Sequence, residues 1–211
     1  MKFLNYDNVL CLSPHPDDVE LSMSGTIKKF SDTRFDIFCL SQGTSTDNSS
    51  TFLRRYEVEH FWKFFDAKNV TLRFSEHKSM DGMNPAQLIT YIENETIKKN
   101  GYQAIFGPSF EDSHFEHRLV NETLQSLARN KTLSLFEYRC ISSLHGWSPN
   151  LFVDIDEFCA QKINALQTCF KTQMDSYYFK TENLELFHDD FLSNKKIIAK
   201  REFFKIKTTY L

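Results

Sequence analysis

Short unbroken apolar runs alternate with helically spaced apolar positions along the first half of the chain. Residues 9–13 and 35–40 read as buried strands, as do 70–74 and 104–106, the last ending at Gly107-Pro108. Between them lie patterns that predict helices. Residues 21–30 place Leu21, Thr26, Ile27 and Phe30 near one face. Residues 54–67 carry Phe61, Phe64 and Phe65, and residues 85–99 carry Leu88, Ile89 and Ile92. Residues 41–51, rich in Ser, Thr and Asn, read as a long polar loop able to border a pocket.

The second half is less regular. It predicts a helix over 119–129, strands over 134–139 and 150–154, and a helix over 156–172. Residues 202–206 read as a last strand or helical turn. Strand–helix alternation predicts an α/β fold: one domain over 1–211, a mostly parallel sheet and helices on both faces. In such sheets the active site lies beyond the carboxyl ends of the strands.

Composition agrees with a globular chain. Of 211 residues, 41% are hydrophobic and 25% charged, and the 21 phenylalanines read as core. The net charge of −3 implies no attraction to nucleic acid or an anionic membrane. No apolar run is long enough for a transmembrane segment, and the N-terminus has no signal-peptide pattern, so a cytoplasmic location is expected. Five scattered cysteines without Cys-x-x-Cys read as free buried thiols. A homo-oligomer is compatible with all of this.

Two polar clusters carry chemistry. Pro14-His15-Pro16-Asp17-Asp18-Val19-Glu20 follows the first strand. Asp112-Ser113-His114-Phe115-Glu116-His117 follows the strand at 104–106. Each has a plain explanation. The first fits a turn and a helix start, where carboxylates are favoured. The second contains Ser113-x-x-Glu116, a capping-box pattern. Together they offer His and Asp ligands with spare carboxylates and a spare imidazole, the inventory of a hydrolytic Zn2+ site with an open position for water.

The stretch His15-Pro16-Asp17-Asp18-Val19-Glu20-Leu21, with Gly25-Thr26-Ile27, resembles the signature of the LmbE/PIG-L family of metal-dependent N-deacetylases. Asp112 to His117 resembles that family's second signature, usually His-x-Asp-His. Arg54-x-x-Glu57, Asp81-Gly82 and Asp154-Ile155 ahead of Lys162 fit more loosely. The resemblance implies a Rossmann-like domain with His15, Asp18 and His117 as metal ligands. It implies Asp17 as general base and a protonated His114 to stabilise the oxyanion or protonate the leaving amine.

The chain departs from the pattern at Glu116, where Asp is usual, and at Ser22 and Ser24, where glycines are common. Glu116 is expected either to pair with His114 or to cap the helix. In the second case Asp112, outside the ligand set, pairs with His114. Arg54 and Asp81 sit where the family places substrate contacts, although Arg54 pairing with Glu57 and a simple Asp81-Gly82 turn are the stronger explanations. Tyr138 and Trp147 are core or sugar-stacking residues. His60, His77, His145 and His188 are expected to be structural or at the surface.

The implied reaction hydrolyses the acetamide of an N-acetylated aminosugar, free, nucleotide-linked or glycan-linked. The metal is zinc, with Fe2+ or another divalent ion as an alternative. Two other readings remain: an amidase or deformylase acting on a non-sugar, and a non-catalytic sugar-binding relative.

Overall fold

A computed structural model describes residues 1–43, 48–98, 100–129, 132–190 and 199–210, without the side chains of 48–52 and 190. Five strands, β1 (Asn8–Ser13), β2 (Arg34–Cys39), β3 (Val70–Phe74), β4 (Ala104–Pro108) and β5 (Ser134–Tyr138), pair in parallel. Strands β6 (Leu151–Asp154), β7 (Asp189–Asp190) and β8 (Ala199–Thr208) all pair antiparallel, and β8 joins β6 to the edge of β5. The strand order is β3-β2-β1-β4-β5-β8-β6, with β7 beside β8.

Alternating side chains of β1 feed two cores. Val9 and Cys11 pack with α1 (Asp18–Lys29), α2 (Asn48–Phe65) and α5 (Asp156–Cys169). Leu10 and Leu12 face α3 (Pro85–Ile92) and α4 (Phe115–Ala128). Burial on both faces explains why this strand reads as a continuous apolar run.

The expected α/β architecture is present, with four differences. The polar stretch 41–51 is shorter as a loop, since α2 starts at Asn48; residues 44–47 lie outside the described residues. Helix α3 ends at Ile92 and continues as a π-helix, Glu93–Ile97; Lys99 is outside the described residues. Helix α4 begins at Phe115, four residues before the expected start, because polar residues that face the site form its first turn. Helix α6 (Thr181–His188) carried no recognised sequence pattern.

A buried ion pair ties the later elements to α1. Lys162 donates to Glu202 at 2.5 Å and to the Leu21 carbonyl at 2.6 Å, and Glu202 accepts from the amides of Gly25 and Thr26. Gly25 permits this approach, since a Cβ there would lie 2.8 Å from Ile155 Cγ2.

The chain passes outward from β1 to β2 and β3, then returns to place β4 on the other side of β1. This reversal opens a crevice at the carboxyl ends of β1 and β4, where open α/β sheets bind ligands. The two polar clusters are the segments that leave those two strand ends.

Candidate metal centre

Between β1 and α1 the chain makes a tight turn. The Asp17 amide donates to the His15 carbonyl at 2.9 Å, and the His15 amide donates to Asp18 Oδ2 at 2.7 Å. The turn folds the Asp18 carboxylate back beneath the His15 ring. Asp17 points away and meets Arg54, with Nη2 to Oδ2 at 3.0 Å; the same nitrogen donates to the Pro16 carbonyl at 2.9 Å. Gly43, at φ +63°, closes against this pair, and a Cβ there would lie 2.9 Å from Pro16 Cδ.

His117 enters from the first turn of α4. His15 Nδ1 and Asp18 Oδ2 are 3.2 Å apart, His117 Nε2 and Asp18 Oδ1 are 3.2 Å apart, and the two ring nitrogens are 3.3 Å apart. Donors arranged tetrahedrally around zinc at about 2.0–2.1 Å are separated by about 3.3–3.4 Å. The separations are of that size, with the two Asp18 oxygens each taking one edge, so the three residues could hold one small divalent ion.

The outer nitrogens are also held. His117 Nδ1 faces Asp112 Oδ2 at 3.2 Å and Ser142 Oγ at 3.2 Å. His15 Nε2 meets the Glu116 carboxylate, whose other oxygen accepts from the Met80 amide at 2.5 Å. Acceptors on the outer nitrogens fix the tautomer that leaves the inner nitrogen free for a metal.

The electrostatics follow from this packing. Burial works against charge on His15, yet Asp18 and Glu116 outweigh it and raise its pKa to about 9. His117 is likewise raised against burial, chiefly by Asp18. Burial favours neutral Asp18, but His117 and His15 hold it well below the usual carboxylate range. Burial pushes Asp17 up to about 6 even though Arg54 pulls the other way. In Asp112 and Glu116 the histidine partners overcome burial and lower the pKa. A metal that replaced the protons between the triangle atoms would remove a crowded pair of positive rings.

Several sequence expectations need correction. Glu116 neither pairs with the His114 ring nor caps with Ser113. The N-cap of α4 is His114, whose Nδ1 accepts from the Glu116 amide at 3.3 Å, so Glu116 is one position too early for a capping box. Ser113 Oγ turns instead to the Ser142 carbonyl. Asp112 accepts from the His114 amide at 2.8 Å, and its contact with an imidazole is to His117.

His114 is not poised as a cation: burial, then the charges of His15 and His117, lower its pKa. With Nδ1 accepting, its proton sits on Nε2. Arg54 pairs with Asp17 and not with Glu57, which binds the amide and hydroxyl of Thr172. Tyr138 and Trp147 are core residues that bond to the Leu12 carbonyl and Glu137.

The triangle opens into a cavity of about 980 Å³, which also reaches Arg54, Asp81 and His114. Asp81 is exposed at its mouth, in a turn with Gly82 at φ +79°. The segment 139–143 after β5 was missed in the sequence. It supplies Ser142 to His117 and buries Cys140, whose thiol is pushed up to about 12 by burial. Two trios of ligand-type groups lie close together, His15, His114 and His117 on one side and Asp112, His117 and Cys140 on the other, and both include His117. Only the position of this segment beyond a strand end could have pointed to it.

The description "GlcNAc-PI de-N-acetylase" belongs to the family model, PIG-L, that matches residues 10–128, more than half of the chain and both clusters. The chain belongs to the PIG-L family. Diacetylchitobiose deacetylase of Thermococcus kodakarensis is 40% identical over 65 residues, a match covering 27% of this chain and 24% of that protein. The PIG-L chain thus aligns with about a quarter of that relative's length.

Among solved structures, the inhibitor complex of N,N'-diacetylchitobiose deacetylase from Pyrococcus horikoshii has a TM-score of 0.71 at 22% identity. It covers 98% of this chain and 85% of its own. GalB of Pseudomonas putida, a 4-carboxy-2-hydroxymuconate hydratase, has a TM-score of 0.69 at 15% identity, with 100% and 98% covered. At such identities the likeness establishes the PIG-L fold, and GalB shows that the fold also serves a reaction other than deacetylation.

Proposed function

We propose that this protein is a metal-dependent N-deacetylase that hydrolyses the acetamide of an N-acetylated aminosugar to acetate and amine. The reading is carried by the donor triangle of His15, Asp18 and His117, with Asp17 beside it but outside it. Bound there, zinc or ferrous iron supplies Lewis acidity and lowers the pKa of water toward neutrality.

The chain's own groups supply the rest. Arg54 holds Asp17 by Oδ2, which leaves the other carboxylate oxygen available to take a proton from the attacking water. As the water oxygen bonds to the acetyl carbon, negative charge develops on the carbonyl oxygen. His114, neutral and protonated on Nε2, donates a hydrogen bond to that oxygen. When the C–N bond breaks, Asp17 returns its proton to the departing amine. Membership of PIG-L and the chitobiose-deacetylase relatives support an aminosugar substrate. The cavity, at about 980 Å³, has room for one.

The test is acetate release by metal-loaded protein from a panel of N-acetyl sugars and simple amides. Turnover of the sugars, abolished by a chelator, is expected. Turnover of simple amides alone would replace the sugar reading with the general amidase. GalB favours a hydratase as the second reading. Water addition to an unsaturated acid without acetate release would establish it. No helix among the described residues is long and apolar enough to cross a membrane.

A further inference from the structure

The wall of the cavity contains an arginine with an unusual environment. Arg139 is the first residue beyond β5 and opens the segment that brings Ser142 to His117. Its guanidinium lies 4.9 Å from the ring centre of Phe187 and 5.2 Å from that of Phe203. Nη1 donates to the Phe187 carbonyl at 3.0 Å. Among the described residues it has no carboxylate within ion-pair distance.

Burial lowers its pKa, with no acidic neighbour acting the other way. Arginine nevertheless remains charged in proteins. Two aromatic faces and one carbonyl recover only part of the hydration this cation loses. Among the described residues, most of its five donors are without a protein acceptor.

The other buried charges lining the cavity are already committed. Arg54 is paired with Asp17, and Glu116 with His15. Lys78 and Asp81 are exposed at the mouth. The groups that touch Arg139 are neutral, Phe187 and Phe203, and Ile141, Asn183 and Leu186 of the same cavity carry no charge. A planar fork of donors in a neutral wall suits an oxyanion, which it can engage with two parallel hydrogen bonds.

We infer that Arg139 binds a carboxylate or phosphate group carried by the substrate, so that the preferred substrate is an anionic N-acetyl aminosugar. The inference rests on the deacetylase reading for the position of the acetamide. Arg139 then sets specificity from the wall of the same cavity.

The experiment compares metal-loaded wild type with Arg139→Gln and Arg139→Lys. The substrates are N-acetylglucosamine, its 1- and 6-phosphates and N-acetylglucosaminuronic acid. Wild type should prefer at least one anionic sugar over the neutral parent. Arg139→Gln should lower the anionic-to-neutral ratio of kcat/KM roughly 10–100-fold, the scale of a charge-assisted hydrogen bond. The loss should fall mainly on KM, and Arg139→Lys should restore part of it.

The phosphate and uronate arms distinguish the two anions. An unchanged ratio in Arg139→Gln, or a wild-type preference for the neutral sugar, overturns the inference. If no sugar is turned over, the deacetylase reading fails. Equilibrium binding of the same sugars then decides on Arg139. Anionic sugars binding no tighter than N-acetylglucosamine, or equally tightly to Arg139→Gln, overturn the inference; tighter binding lost in that variant upholds it.

Discussion

The Glu116 carboxylate meets Nε2 of His15 across 101 positions of sequence, behind the nitrogen that faces the donor triangle. An acidic residue on the second polar cluster thus orients an imidazole from the first. Glu116→Gln should weaken zinc binding roughly 10–100-fold, the usual cost of losing such an outer partner. A competition titration against a chromophoric chelator measures this. Wild-type affinity in the variant would show that His15 needs no anchor.

The adjacent aspartates should separate cleanly. Asp18→Asn removes a charged donor from the triangle and should lose metal. Asp17→Asn lies outside the triangle and should retain a full equivalent of metal while turnover falls roughly 10²–10⁴-fold. Metal analysis alongside acetate release reads both effects. Metal loss in Asp17→Asn would move that residue into the ligand set.

His114 caps a helix, and one substitution can divide that role from the proposed catalytic one. Its Nδ1 caps α4 by accepting from the Glu116 amide, and its Nε2 is available to a substrate oxygen. Asparagine is among the best N-caps. His114→Asn should therefore unfold within about 0.5 kcal/mol of wild type, yet lose roughly 10²–10³ in kcat. Denaturant unfolding and steady-state kinetics are the measurements, and full activity in the variant would exclude His114 from oxyanion stabilisation.

His188 should make the fold sensitive to acid. It is fully buried, its Nδ1 lies 3.3 Å from the Arg201 carbonyl, and burial holds its pKa well below normal. The unfolded chain takes up this proton near the ordinary histidine value and the folded chain does not. The contribution is complete above about pH 6.5 and declines by about 1.4 kcal/mol per pH unit below it, until the folded pKa is reached. Between pH 7.5 and 5.5, His188→Gln should lose less unfolding free energy than wild type. An equal loss would place the acid sensitivity elsewhere.

Much of the site was legible because its information is local. The apolar run of β1 and the turn that follows it are set by neighbouring residues. So is the one-turn spacing of His114 and His117. Those segments alone sufficed to nominate His15, Asp17, Asp18 and His117 and to place them at strand ends.

The outer partners were not legible. Glu116 on His15, Arg54 on Asp17 and Ser142 on His117 join elements 101, 37 and 25 positions apart. Whether Glu116 caps a helix or supports a ligand turns on one residue of register at the start of α4, which local patterns do not resolve. Arg139 is harder still, because what distinguishes it is the absence of an acid around it among the described residues. The sequence by itself determined the alternation of strands and helices and the reactive groups. The tertiary structure decided which groups lie side by side, which carboxylate meets which imidazole, and where a positive charge is left without an acid among the described residues. Pairing of that kind depends on the order of strands in the sheet, where β4 crosses back to lie beside β1.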